Sequence, residues 1–350
     1  MDDPVACLCA FGRVFCCPPG RPQAQRRVLN IYSARHYGAI EAPFTQFEAD
    51  TGIEIRLSQG SERDLLERLR AEGDRTPADL FLAIDAGVLA LAAEEGLLQP
   101  VESETLAANI APEFRDPEKH WYGLSIRART AVYNPEAVSE EELAQLNSYA
   151  DLANPIWEGR LCMRPASHIY TVSLFSSLIY HLAEEEARSV LEGIVANDPT
   201  YINSDTPHDR SRWQRASATS PWSTTTNLGR LINDEAEVAD EVELKWLNQE
   251  TTGAFFNVNG AGITANAENF DEALEFIEYF STVEGQAGTA EGFPGSNFEF
   301  PTNPEAEPIE SISGFGDFML DTEYPLWEYG SLQAEAVRLL EETGFGFGES

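Results

Sequence analysis

Apolar residues along the chain fall into short runs that alternate with amphipathic stretches. VLNIYS (28–33) reads as a first strand, ending in the loop Ala34-Arg35-His36-Tyr37-Gly38. The spacing that follows predicts a helix over roughly 40–51, with Phe44 and Phe47 on one face. IEIRL (53–57) alternates as a strand does. Between Ser61 and Gly73, Leu65, Leu66 and Leu69 are separated by charges, the pattern of an amphipathic helix closed by glycine. ADLFLAI (78–84) reads as a buried strand, followed by a helix ending at Gly96. This β-α-β-α order predicts an α/β architecture built on open, mostly parallel sheets flanked by helices.

The pattern continues into the second half. TAVYN (130–134) and GRLCM (159–163) read as strands, and Ser139 with Glu142 forms a capping box. Helices are expected over 169–183, 184–196, 270–281 and 331–343, the last ending at Gly344 before a frayed GFGFGES tail. Gly260-Ala261-Gly262 reads as a turn. Two α/β units imply two lobes with a cleft between them. Open α/β sheets bind ligands beyond the carboxyl ends of their strands, which is where the loop holding His36 and Tyr37 lies.

Charge narrows the partners. The chain has 350 residues, with 59 acidic against 23 basic, a formal net charge of -36. All but two of the bases are arginines, the exceptions being Lys119 and Lys245. Such a field repels phosphate backbones and anionic lipid, which disfavours nucleic-acid and membrane-surface binding. It suits a solvated surface in a salty milieu. Cysteines cluster at 7, 9, 16 and 17, leaving Cys162 alone, so the body relies on its core and not on disulfides. The first 25 residues have an acidic start and an apolar stretch, VACLCAFGRVFCC, interrupted by Arg13. They are read as a degenerate signal region, with the folded body beginning near Arg26.

At this point several segments become informative together. They are LNIYSARHYGAIEAPFTQFEADTGIEIRL, PADLFLAIDAGVLALAAEEGLLQPV, RDPEKHWYGLSIRARTAVYNPEAV and YADLANPIWEGRLCMRPASHIYTVSLFSSLI, followed by LGRL and NVNGAGITANAENFDEALEFIEYFSTVEGQ. In order and spacing over roughly 28–345, the chain resembles the ferric-iron-binding solute-binding proteins of bacterial ABC importers, members of the periplasmic binding protein superfamily. The resemblance implies two lobes that close on one Fe3+. It implies lobe 1 from 26–127 plus about 255–303, lobe 2 from 128–254 plus about 304–345, and a frayed tail over 346–350. It also implies a monomer in the periplasm or another extracytoplasmic space, delivering iron to a permease of the inner membrane.

Carried over position by position, RHY makes His36 and Tyr37 metal ligands, and SHIY does the same for Tyr170. SIRAR makes Arg127 and Arg129 holders of a synergistic anion such as carbonate. The chemistry is coherent. Fe3+ is a hard acid, and a bound cation favours the phenolate of a tyrosine that otherwise keeps its proton to about pH 10. Asp85 is read as a helix N-cap and His168 as a surface residue.

The sequence departs from the pattern before LGRL. The family carries adjacent tyrosines there, whereas SPWSTTTNLGRL places Thr226 and Asn227 at those positions, neither able to supply a phenolate. The run 207–226 lacks apolar periodicity and is expected to form no regular element. Read in a shifted frame, its codons permit V-A-(A or T)-G-E-C-D-L-A-V-V-N-H-Y, which restores a helix end, a buried strand and a tyrosine ahead of Asn227. A pair of compensating frameshifts is therefore expected. A second function consistent with the fold is binding of a small anion or organic solute at Arg127 and Arg129, and a third is an impaired iron binder. Catalysis is not expected, since H-E-x-x-H, G-x-S-x-G and P-loop signatures are absent.

Overall fold

The structure, a computed structural model, describes residues 26–35, 42–202, 219–224, 228–229, 239–290, 298–308, 312 and 314–346. Strand β1 (Val28–Ser33) pairs in parallel with β2 (Glu54–Gln59) and β3 (Leu80–Ala83). Helices α1 (Ala42–Thr51), α2 (Glu62–Glu72) and α3 (Ala86–Glu94) follow in alternation with these strands, and α4 (Glu104–Asn109), α5 (Glu140–Leu143) and α8 (Val283–Ala290) lie farther along the chain. Both faces of β1 are covered: Leu29 and Ile31 enter one apolar cluster, Tyr32 and Ala34 the other. That is the signature of a strand packed between helical layers.

Local chemistry sets the element ends. Ser61 caps α2 by accepting the Asp64 N–H at 3.2 Å, and Gly73 closes it at a φ of 53°. The expected helix over 270–281 is α7 (Phe270–Ser281), which buries Phe276 and Phe280 against Phe44 and Phe47 at ring distances of 5.3 to 6.0 Å. Each buried ring contributes about 1.5–3 kcal/mol. The helices expected over 169–183 and 184–196 are both present, together spanning α6 (Ile169–Ala196), and meet at Ala183, whose φ of 62° and ψ of 164° are not helical.

Strand β4 (Tyr122–Tyr133) organises the rest. Its twelve residues are buried throughout, far more than the expected TAVYN strand. Through Ala128 it pairs antiparallel with β9 (Phe256–Ile263). From Arg129 to Tyr133 it pairs with β7 (Thr219–Thr224) and β8 (Glu243–Lys245). The path across the sheet is β10-β4-β9-β3-β1-β2, with β10 at Phe300–Pro301, so a parallel block joins antiparallel strands. Strands β5 (Cys162–Met163) and β6 (Thr200–Tyr201) form a separate parallel pair.

Two expectations change here. Gly260 and Gly262 lie inside β9, not in a turn. A Cβ on Gly260 would sit 2.6 Å from Leu89 Cδ1 and 2.9 Å from the Tyr122 carbonyl, so these glycines permit close strand packing. The run 207–226 contains a regular element after all, β7, while its remaining residues lie outside the described ones. The leader region also lies outside them. Among the described residues no helix is long and apolar enough to cross a membrane.

Candidate functional site

The carboxyl ends of β1 and β3, the crossing of β4 with β9, and the start of α6 converge on one buried locus. Arg127 lies at its centre, on β4 just before the strand changes partner. Its Nη1 donates to the Tyr170 hydroxyl and its Nη2 to the Ile84 carbonyl at the end of β3. Tyr170, 8% exposed, is the second residue of α6. Its N–H donates to His168 Nδ1 at 3.2 Å, so His168 is a half-buried helix cap and not a surface side chain. The guanidiniums of Arg127 and Arg129 lie 4.9 and 4.7 Å from the Tyr170 ring centroid, close enough for cation–π attraction. A small cavity is lined by these three residues with Ser173, Phe255 and Asn257.

Asp85 caps α3 as expected, accepting the Gly87 N–H at 2.8 Å. It does more. Its second oxygen accepts from Ser173 Oγ at 2.5 Å and Asn257 Nδ2 at 2.7 Å, which fixes two walls of the cavity. Burial pushes its carboxyl above the usual range, opposed by the Ser173 hydrogen bond and the Arg127 charge. Glu62, at the start of α2, is buried and accepts the Ile84 N–H at 2.7 Å. Burial, followed by the charge of Asp85, pushes its carboxyl up to about 8. Ile84 thus links the two groups, its N–H serving Glu62 and its carbonyl serving Arg127.

Tyr170, Arg127 and Arg129 are therefore brought together. His36, Tyr37, Thr226 and Asn227 lie outside the described residues. The chain is described as far as Arg35, whose buried guanidinium is 3.5 Å from Glu299. Glu62, Ser173, Asn257 and Glu299 were not anticipated. A usable signal existed for Asn257 and Asn259: alternating polar residues in an apolar run, FNVNGAGI, mark side chains facing a polar site. Among the described residues no group of three or more His, Cys, Asp or Glu side chains could hold a metal. Tyrosine and arginine dominate the locus instead.

The family profile of the bacterial extracellular solute-binding proteins matches residues 42–314. The chain belongs to this family. Among the relatives of this solute-binding protein is "Iron uptake protein A1" of Synechocystis sp. (strain ATCC 27184 / PCC 6803 / Kazusa), 33% identical over 92% of this chain and 88% of the relative. The Trichodesmium protein IdiA (FutA), solved in complex with iron and citrate ligands, superposes with a TM-score of 0.81 at 34% identity, covering 91% of this chain and 99% of that one. The ferric binding protein from Campylobacter jejuni gives a TM-score of 0.83 at 31% identity over 91% and 99%. The two-lobed α/β architecture is common to all of them.

Proposed function

We propose that this chain is the extracytoplasmic solute-binding component of an ABC importer, capturing ferric iron in its interlobe cleft and passing it to a membrane permease. The observation that carries the reading is the buried Tyr170 hydroxyl held by Arg127 and flanked by Arg129. A phenol there costs little to desolvate while the site is empty and supplies a negative oxygen when a cation arrives. Arg127 then offsets the phenolate charge or holds a synergistic anion such as carbonate. Tyr37, with His36 beside it, would provide the ligand from the opposite wall. The names of the relatives, an iron uptake protein, a ferric binding protein and a protein solved with iron and citrate, support the same cargo.

The lobes divide at 127/128, next to the point where β4 exchanges β9 for β7 and β8. Residues 26–127 with 255–303 form one lobe, and 128–254 with 304–345 the other. Rotation about these strands would close the lobes on the ion, with ligand contacts stabilising the closed state. A monomer in the periplasm suffices and no bond is made or broken.

The stretch 207–226 fits this reading when taken in its shifted frame. There β7 would read Leu-Ala-Val-Val-Asn, an apolar strand beside β4, followed by His-Tyr. The nucleotides of the gene decide this, since third bases incompatible with that peptide exclude it.

The cargo is tested by equilibrating the purified chain with ferric citrate, removing free metal, and recording bound iron and the visible spectrum. A single ferric ion per chain with a tyrosinate charge-transfer band is expected. A colourless, iron-free chain would overturn the reading.

A further inference from the structure

Glu299 stands outside every role assigned so far, yet it is 1% exposed and faces two of the site's cations. It immediately precedes β10 and projects onto β4 and β9. Its Oε2 accepts from Ser125 Oγ of β4 and from Asn259 Nδ2 of β9, the latter at 2.5 Å. The same oxygen is 3.5 Å from Arg35 Nη1, and Oε1 is 3.9 Å from Arg127 Nε. Arg35 immediately precedes the His36-Tyr37 pair, and Arg127 holds Tyr170. One buried carboxylate therefore faces both arginines. It is fixed to both crossing strands by neutral donors, so its place does not depend on the arginines alone.

We infer that Glu299 is a positioning and specificity-determining residue: the internal counter-ion that decides how strongly the arginines of the cleft demand an external anion. The physical reason is charge balance. Arg35 and Arg127 bring positive charge to a buried space that Asp85 also faces, so removing the charge of Glu299 moves the local balance one unit towards positive. With Glu299 present, Fe3+ meets less repulsion, and an added anion such as citrate or carbonate gains less from Arg127. Without its charge, both terms reverse. The effect persists in high salt, because charges so deeply buried are screened little. The surrounding Ser125 and Asn259 would tolerate an amide in the same shape.

This inference rests on the proposed ferric site for its iron arm and stands without it for its anion arm. The experiment compares the wild type with Glu299→Gln and Glu299→Asp. Citrate affinity of the iron-free chains is measured by calorimetry, and ferric affinity by chelator competition at low and saturating citrate. In Glu299→Gln, citrate should bind the iron-free chain roughly tenfold more tightly, as expected for loss of one negative charge a few ångströms away in a medium of intermediate dielectric. Ferric affinity should fall at low citrate and recover at saturating citrate. Glu299→Asp, which keeps the charge but withdraws it by one methylene, should fall between the two chains. That variant decides the matter if Glu299→Gln does not fold. Unchanged citrate affinity in a folded variant overturns the inference, since a purely structural Glu299 would lower the melting temperature without moving anion affinity. Failure of the wild type to take up iron would overturn the ferric reading alone, leaving the citrate comparison of the iron-free chains to decide the role of Glu299.

Discussion

The same charged residue types do different things on two faces of this molecule. Between α6 and the terminal helix α9 (Gln333–Glu342), Arg188 lies 2.6 Å from Glu342 and Arg338 lies 2.7 Å from Glu184, the four side chains 30 to 44% exposed. Where β4 crosses β9, Arg127 and Glu299 are 3% and 1% exposed and meet fixed partners. The outer pairs have short distances but sit in water, which screens them and rewards their disorder. The inner groups have lost their water and must be satisfied by the protein. A net charge of -36 counts both kinds equally. The contrast teaches that the acidity of the surface bears on solubility, while the proposed cargo would meet only a handful of buried groups.

Mutations at the two faces should separate accordingly. Arg127→Gln should have the largest effect, costing about 3 kcal/mol or more, because it removes a buried charge that faces Glu299 and Asp85 and leaves the Ile84 carbonyl without its Arg127 donor. Chemical denaturation would read this directly, and the variant should also lose ferric affinity. Glu62→Gln sharpens the comparison through pH. Glu62 is held near 8 in the folded chain against an ordinary value of 4.5, so the folded state keeps a proton that the unfolded chain releases. Stability from this group is full below about 4.5 and is lost as pH rises towards 8, at up to about 1.4 kcal/mol per pH unit. Melting temperatures measured from pH 5 to 9 should therefore fall more steeply for the wild type than for Glu62→Gln. Arg338→Ala should have the smallest effect, with no measurable change in melting temperature at physiological salt. A large loss there would erase the distinction between the faces.

The legible part of the sequence was the part governed by periodicity and caps. Leu65, Leu66 and Leu69 gave α2, Ser61 and Gly73 gave its ends, and the Phe276 and Phe280 stripe gave α7. These signals are local, so composition within a turn or two suffices. The crossing strands were poorly legible for the opposite reason. Arg127 and Arg129 make β4 look half polar, yet every residue in it is buried, because its polar side chains face a site and not solvent. Gly260 and Gly262 resembled a turn because glycine signals both turns and close packing, and only the positions of Leu89, Leu98 and Tyr122 distinguish them. Tyr170 and both arginines were reachable by resemblance. Glu62, Ser173, Asn257 and Glu299 were not, since each owes its role to a neighbour far away in the chain.

The central claim is that a tyrosine phenolate at the crossing strands holds the cargo. Its most direct test is a ferric titration of Tyr170→Phe beside the wild type, following the visible charge-transfer band and the affinity by chelator competition. Losing a ligand should exceed the 10–100-fold effect typical of outer partners, so affinity should fall more than about 100-fold, with a weakened and shifted band. A Tyr170→Phe chain with the wild-type band and affinity would contradict the claim.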